Sequence, residues 1–463
     1  MSGNGEWVAA LEDVVAAECA RLALPGAVVG VRRAGEERYV THGVTNVEHP
    51  LPTDEHTCFQ VASISKTFTA TAVTALVQSG RVALEAPVAT FLEDLTLPAG
   101  VERDAVTVEH LLNHRSGVLG DGLFAAPGTD TSLDSVPRRV GEQPQPFPPG
   151  ADWSYNNLGF SLAGALVARV TGEPFAEALR TLVLEPAGMD RVFTTADEVV
   201  THRVAAPHIT LGDASYVLRN AGWQRGWQLQ DLDVPAGGVV TDAASLLRWA
   251  AVHTGAVPGP LDAGHRDLMQ QRRAGAGGDI SAMGLGWWHQ DPGGVATFGH
   301  DGMTVGYHSR LRIVPSADLA FVVLTNGMQG NRLTRSVTAH LLTSLAGAGP
   351  VRPEVPVDPP VDATAEIVGT YDDPFYLLHL DPADVPGRAF LRLEQRPPDP
   401  GRWTPPALGD PTPLAWIGPD RWMTLEPDGG GDIVDIGRDA AGAVVWARSG
   451  LRICARLDEG DSA

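Results

Sequence analysis

Positive charge is in short supply in this chain. Its 463 residues carry 34 Lys and Arg against 56 Asp and Glu, a formal net charge of -22 at pH 7. A phosphate backbone or an anionic bilayer repels such a surface, which sets aside nucleic-acid and peripheral-membrane roles. Cysteine is scarce too. Cys19, Cys58 and Cys454 are odd in number, far apart and never in a CxxC pair, so they imply neither a disulfide framework nor a zinc site. No apolar run is long enough to span a bilayer. The opening segment MSGNGEWVAALEDVVAAECARLALPG lacks a basic start, and acids interrupt its apolar positions. It reads as an amphipathic helix rather than an export signal, so the expected location is the cytoplasm. Lysine is rarest of all: Lys66 is the only one.

What remains is an ordinary globular balance, 43% hydrophobic and 19% charged, enough for a sizeable core. Helical spacing over residues 7–22 is followed by two β-rich runs, AVVGVRR from Ala27 and ERYVTHG from Glu37. Far along the chain, HSRLRIVP and LAFVVLTN flank the turn Ser316-Ala317-Asp318 as a hairpin, and a helix follows from Leu333. Strands at both ends of the first part and helices between them predict an α/β (α+β) fold. One antiparallel sheet draws on both ends, flanked by helices and a helical subdomain. The expected domains are residues 1–346, a Pro-rich linker 347–362, and a small β-barrel over 363–463, where many short apolar runs are broken by Pro, Gly and Asp. Two irregular Gly-, Pro- and Trp-containing segments, 118–150 and 202–230, are expected binding walls.

The lone lysine closes Ser63-Ile64-Ser65-Lys66, directly before the helical run TFTATAVTALVQSG. Residues three apart on a helix share a face, so Ser63 and Lys66 can touch while Ser65 points elsewhere. Arginine cannot give up its proton at ordinary pH, whereas a desolvated lysine can, which makes Lys66 a candidate base for a Ser63 nucleophile. Tyr155-Asn156-Asn157 offers a phenol to relay a proton and, two residues on, the Asn157 amide to orient the lysine or substrate. Asn156 does not fit that spacing. His300-Asp301-Gly302 stands just ahead of HSRLRIVP. Its histidine is a candidate to polarise an acyl group or hold a carboxylate, and Gly302 would allow close substrate approach. The Met303 amide would join that of Ser63 in holding an oxyanion. No Gly-x-Ser-x-Gly elbow, HExxH, P-loop or dinucleotide fingerprint appears, and neither metal nor cofactor is expected.

Ser-x-x-Lys, Tyr-x-Asn and His-x-Gly in that order resemble the penicillin-binding-protein and class C β-lactamase superfamily. The phrases HLLNHRSG, FPPGADWSYNNLGF and PAGGVVTDAASLLRWA add to the likeness. The resemblance covers about residues 5–345 and implies a serine acyl-transfer enzyme. The family's third motif is Lys-Thr-Gly. His-Asp-Gly here is as in D-aminopeptidases, esterases and related members, and weakens a β-lactamase reading. A cell-wall substrate also conflicts with the expected location. Two readings remain. One is a D-stereospecific peptidase or esterase. The other is similar to penicillin-binding-protein-type thioesterases, which take a peptidyl thioester ending in a D-residue onto the serine. Attack by the peptide's own amine then releases a macrolactam. That likeness implies a carrier-borne nonribosomal peptide as substrate and a lipocalin-like C-terminal domain. Arg448 would hold a carboxylate there. Trp153, Trp223, Trp227, Trp287 and Trp288 are candidates to line the pocket. All the motifs lie in the first domain, so acylation is expected to need nothing from the second.

Overall fold

A computed structural model describes the chain except residues 1–2, 121–129, 220–226, 228, 274, 352–353, 357–359, 361–362, 374–375, 396–410, 427–430 and 458–463. The expected sheet from both chain ends is present. Its strands are β1 (Gly26–Arg33), β2 (Glu36–Gly43), β3 (Ala282–Met283), β4 (Trp288–Gln290), β5 (Thr297–Thr304), β6 (Tyr307–Val314) and β7 (Leu319–Thr325). They lie in the order β2-β1-β7-β6-β5-β4-β3, all pairs antiparallel. The two ends meet where β1 pairs β7, with Val29 opposite Val323.

Both faces of this sheet are covered, which is why β1 and β7 read as unbroken apolar runs. Successive side chains alternate between faces. Val29, Val31, Phe321 and Val323 pack with Leu11 and Val15 of α1 (Gly3–Arg21) and with residues of the helix near the end of the domain. Val28, Val322 and Leu324 pack the other way, with Phe68 of α2 (Ser65–Gln78), Leu166 of α3 (Asn157–Thr171) and Trp249 of α4 (Ala243–Thr254). The final helix, α5 (Gly330–Ala346), contributes Leu333, Val337 and Leu341 to the first face.

Helix α2 is buried from Ser65 to Thr74 despite its many threonines. Their hydroxyls find partners without leaving the core: Thr71 donates to Thr67 O at 2.7 Å, Thr74 to Ala70 O at 2.8 Å, and Thr69 across to Pro235 O at 2.7 Å. Phe68 stacks on Trp249 with centroids 4.2 Å apart, fixing the rotation of the helix that carries Lys66.

Eight further strands close into a barrel: β8 (Gly369–Asp372), β9 (Tyr376–Pro382), β10 (Arg388–Gln395), β11 (Thr412–Gly418), β12 (Arg421–Thr424), β13 (Ile433–Arg438), β14 (Val444–Ser449) and β15 (Arg452–Arg456). Tyr371, Leu378, Leu380, Leu414, Trp422, Val434 and Ile436 form its core. The β14–β15 hairpin docks on the first domain, where Tyr155 N donates to Leu451 O at 2.9 Å and Ile453 N to Ser154 Oγ at 3.1 Å.

Candidate active site

Ser63 lies on a single 3-10 turn, Ala62–Ile64, immediately before α2. Ala62 has φ of 48°, a left-handed conformation that costs an alanine about 1–2 kcal/mol. Neighbouring bonds hold it there. Ser65 Oγ donates to Ala62 O at 2.5 Å, Val61 N to Val239 O at 3.0 Å, and Ser309 Oγ to Val61 O at 2.8 Å. Ser65 therefore points away from the Ser63 hydroxyl.

Lys66 is fully buried. Its Nζ lies 3.1 Å from Ser63 Oγ and donates to Asn157 Oδ1 and Ala236 O, both at 2.7 Å. Asn157 opens α3, while Asn156 caps it, accepting from Gly159 N at 2.6 Å. Adjacent asparagines thus divide into one that meets the lysine and one that starts the helix. The Tyr155 ring passes 4.9 Å from Lys66 Nζ. These four residues converge.

A cavity of about 280 Å3 opens at Ser63, bordered by Gly120, Asn157, Leu158, Leu229 and Met303 among others. Each of the two expected wall segments thus supplies a residue, Gly120 from one and Leu229 from the other. Met303 is on β5 and borders the same cavity as Ala62 and Ser63.

His300 is also on β5, just ahead of β6 and paired across to its Leu311. Burial, then the charge of Lys66, pushes its pKa down to about 3, so the ring is neutral. Nδ1 lies 2.6 Å from Asp301 O, a carbonyl that can only accept, which makes Nδ1 the protonated nitrogen. A neutral imidazole beneath Trp288, centroids 4.1 Å apart, does not hold a carboxylate by charge. His300 does not border the cavity. A Cβ on Gly302 would sit 2.1 Å from Val61 O. The close approach that Gly302 permits is therefore to the segment carrying the nucleophile, not to substrate. Burial raises Asp301, but Arg310 and Arg312 outweigh it and hold its carboxyl well below the usual range.

The tryptophan expectation is corrected. Trp153 and Trp288 are buried with Tyr155, Ile280 and Met283, and Trp287 belongs to the main core. Trp227 donates Nε1 to Tyr307 OH at 2.8 Å, and Trp223 lies outside the described residues. Large flat indoles fill the layer beneath the site, while leucines border the cavity itself.

Arg448 is corrected too. Its guanidinium is buried and committed to Asp435 at 3.1 Å, Asp152 at 3.0 Å and Trp153 O at 2.9 Å. It fastens barrel to catalytic domain. Arg448→Ala is expected to weaken that docking by about 3 kcal/mol, the low end for a broken buried pair because Asp152 is partly exposed. Urea unfolding followed at the domain joint checks this, and an unchanged midpoint would deny the clamp.

Two residues near the site carry no clear signal in the sequence. The Arg452 guanidinium, from the barrel hairpin, lies 5.1 Å from the Tyr155 ring centroid. Together with the Leu451 bond to Tyr155 N, it brings the second domain to the catalytic end. His114, within the HLLNHRSG phrase, accepts from Asn156 N at 3.0 Å and packs 4.5 Å from the Tyr155 ring. Burial and then Lys66 hold its pKa well below the ordinary value.

Buried neutral histidines make the fold sensitive to acid. When unfolded, such rings protonate near 6.5; folded His253 and His300 resist until about 3. Between those values the unfolded chain binds more protons, so their contribution is complete above pH 6.5 and lost on acidification. Unfolding free energy should fall by up to about 1.4 kcal/mol per pH unit for each ring. His253→Gln should flatten the slope by about one proton in urea titrations from pH 7 to 4. An unflattened slope would refute the assignment.

A serine at the head of a buried helix, a lysine one turn on, an asparagine opening a second helix and a tyrosine just before it make the arrangement that serine acyl transfer calls for. The chain belongs to the beta-lactamase family, whose model matches residues 11–346. Penicillin-binding protein 4 of Amycolatopsis lactamdurans is 31% identical over 363 residues, covering 75% of this chain and 93% of that protein. Esterase EstB of Burkholderia gladioli is 38% identical over 203 residues, 40% of this chain and 50% of its own length. Among solved structures, SurE with D-Leu shares the fold at a TM-score of 0.74 and 24% identity, over 98% of this chain and 100% of that one. Among the described residues no helix is long and apolar enough to cross a membrane.

Proposed function

We propose that the protein is a thioesterase and cyclase, transferring a peptidyl thioester to Ser63 and releasing it as a head-to-tail macrolactam. The observation that carries this reading is the barrel hairpin built against Tyr155, in a two-domain fold shared along its whole length with SurE, whose structure contains D-Leu. A covering domain at the catalytic end suits a reaction that must exclude water and fold a long substrate back on itself.

In the proposed mechanism Lys66 acts as a neutral amine. Asn157 Oδ1 and Ala236 O take its two N–H groups, leaving the lone pair toward Ser63 Oγ at 3.1 Å. Ser63 Oγ attacks the thioester carbon as its proton passes to Lys66. The Ser63 and Met303 amides hold the oxyanion. Collapse breaks the carbon–sulfur bond, and the thiolate takes the proton back from Lys66, relayed through Tyr155. The peptide amine then attacks the Ser63 ester, loses a proton to the same pair, and the amide forms as Ser63 Oγ is reprotonated. A carrier domain would deliver the thioester.

The test is stereochemical. A peptidyl thioester ending in a D-residue should be consumed at least about tenfold faster than its L-epimer, with macrolactam as product. A second reading is a D-stereospecific peptidase or esterase, and the likeness to EstB favours its esterase form. Linear acid as the only product would select it, and equal rates for both epimers would select a general esterase.

A further inference from the structure

The short helix Val108–Leu112 ends at Asn113, and the next position is one where helices commonly place a glycine. Arg115 N donates back to His110 O at 3.0 Å, the closing bond of a helix end with left-handed backbone at residue 114. His114 stands there with φ of 62°. A glycine would adopt that conformation without strain, so the histidine answers to something beyond the local turn. Three consecutive amides give the reason. Ser154 N donates to His114 O at 3.2 Å, Tyr155 N to Leu451 O at 2.9 Å, and Asn156 N to His114 Nδ1 at 3.0 Å. One residue thus takes the amides on either side of Tyr155, and the barrel takes the one between. The His114 ring packs on the Tyr155 ring, centroids 4.5 Å apart, and that ring in turn passes 4.9 Å from Lys66 Nζ. A backbone amide only donates, so Nδ1 carries no proton, and the neutral ring holds its proton on Nε2. That tautomer leaves Nε2–H buried with no acceptor among the described residues, a second cost that the local fold does not explain.

We infer that His114 is a positioning residue for Tyr155: its Nδ1 bond to Asn156 N holds the phenol where it can relay a proton between Lys66 and the departing or arriving group. The inference rests on the acyl-transfer reading, in which Tyr155 is that relay. A side chain that only filled space under Tyr155 would need no acceptor at this point, and a residue serving only the helix end would be glycine. Nδ1 is attached to the same carbon of the side chain that bears Oδ1 in asparagine, and asparagine also tolerates left-handed backbone. Asparagine is therefore the conservative replacement, and phenylalanine keeps the ring while losing the acceptor.

The experiment measures kcat and KM for thiol release from the N-acetylcysteamine thioester of an N-acetylated D-amino acid. His114→Phe should lower kcat by about a hundredfold with KM nearly unchanged. His114→Asn should recover most of that loss. If the phenylalanine variant does not fold, His114→Gly suits the backbone, lacks the acceptor and should show the same fall in kcat. A double-mutant cycle separates positioning from general support. Tyr155→Phe alone should lower kcat by about a hundredfold, and adding His114→Phe or His114→Gly to it should cost less than about threefold more. Three results would overturn the inference: wild-type kcat in the variants that lack the acceptor, an asparagine variant as poor as they are, or the full loss repeated on top of Tyr155→Phe. A Tyr155→Phe variant with wild-type kcat would also remove it, while acylation of Ser63 and the acyl-transfer reading stood. Thiol release does not depend on ring closure, so a peptide released only as linear acid would sink the cyclase reading and leave His114 in its role.

Discussion

Ser63→Ala is expected to remove thioester turnover by about a thousandfold or more, with no acyl group added to the protein. Few side chains could substitute. Ser65 donates to Ala62 O and accepts from Val239 N, both inside the core. Ser161 borders the cavity, but it sits on α3 with its hydroxyl toward Asn157 O at 3.4 Å. The chain's one lysine, Lys66, has its Nζ 3.1 Å from Ser63 Oγ. Because the Ser63 side chain faces a cavity, the substitution should leave the urea midpoint within about 0.5 kcal/mol of wild type. A measured loss of activity can then be assigned to chemistry. Retained turnover would place the nucleophile elsewhere.

Lys66→Arg is expected to be nearly as inactive as Lys66→Ala, with losses of about a hundredfold to ten-thousandfold. Two arguments converge. An arginine keeps its proton, so it cannot accept one from Ser63. It is also larger and planar, and would have to fit a fully buried site whose acceptors, Asn157 Oδ1 and Ala236 O, suit a single nitrogen. Circular dichroism separates misfolding from lost basicity. A folded arginine variant with substantial turnover would mean that the residue serves as a fixed positive charge.

Much of the architecture is legible in the sequence because its signals are local. Strands β1 and β7, buried on both faces, stand out as short apolar runs, and the hairpin of β6 and β7 has its turn between them. The spacing from Ser63 to Lys66 is a single helical turn, so no tertiary knowledge is needed to pair them. Choosing Asn157 over Asn156 follows from spacing in the same way. Long-range docking is a different matter. Arg448 and Arg452 belong to the two strands of one hairpin, and Arg448 is paired with Ile453 across it. Which arginine reaches the tyrosine depends on how the barrel seats on residues 152–155, and no local pattern records that. Tryptophan misleads for a related reason. An indole suits a pocket wall and a packed core equally well, and Trp153, Trp287 and Trp288 are buried to within a few per cent of completely.

The central claim is that an acyl group passes through Ser63, activated by Lys66, on its way to product. The most direct measurement traps that intermediate. Wild-type protein is mixed with a D-terminated peptidyl thioester whose amine is blocked against ring closure, quenched in acid, weighed intact and mapped after proteolysis. The account predicts one added acyl group, located on the peptide containing Ser63 and absent from Lys66→Ala. An acyl group on Ser161 or Ser65, or product formed with no acyl-enzyme at any time, would contradict it.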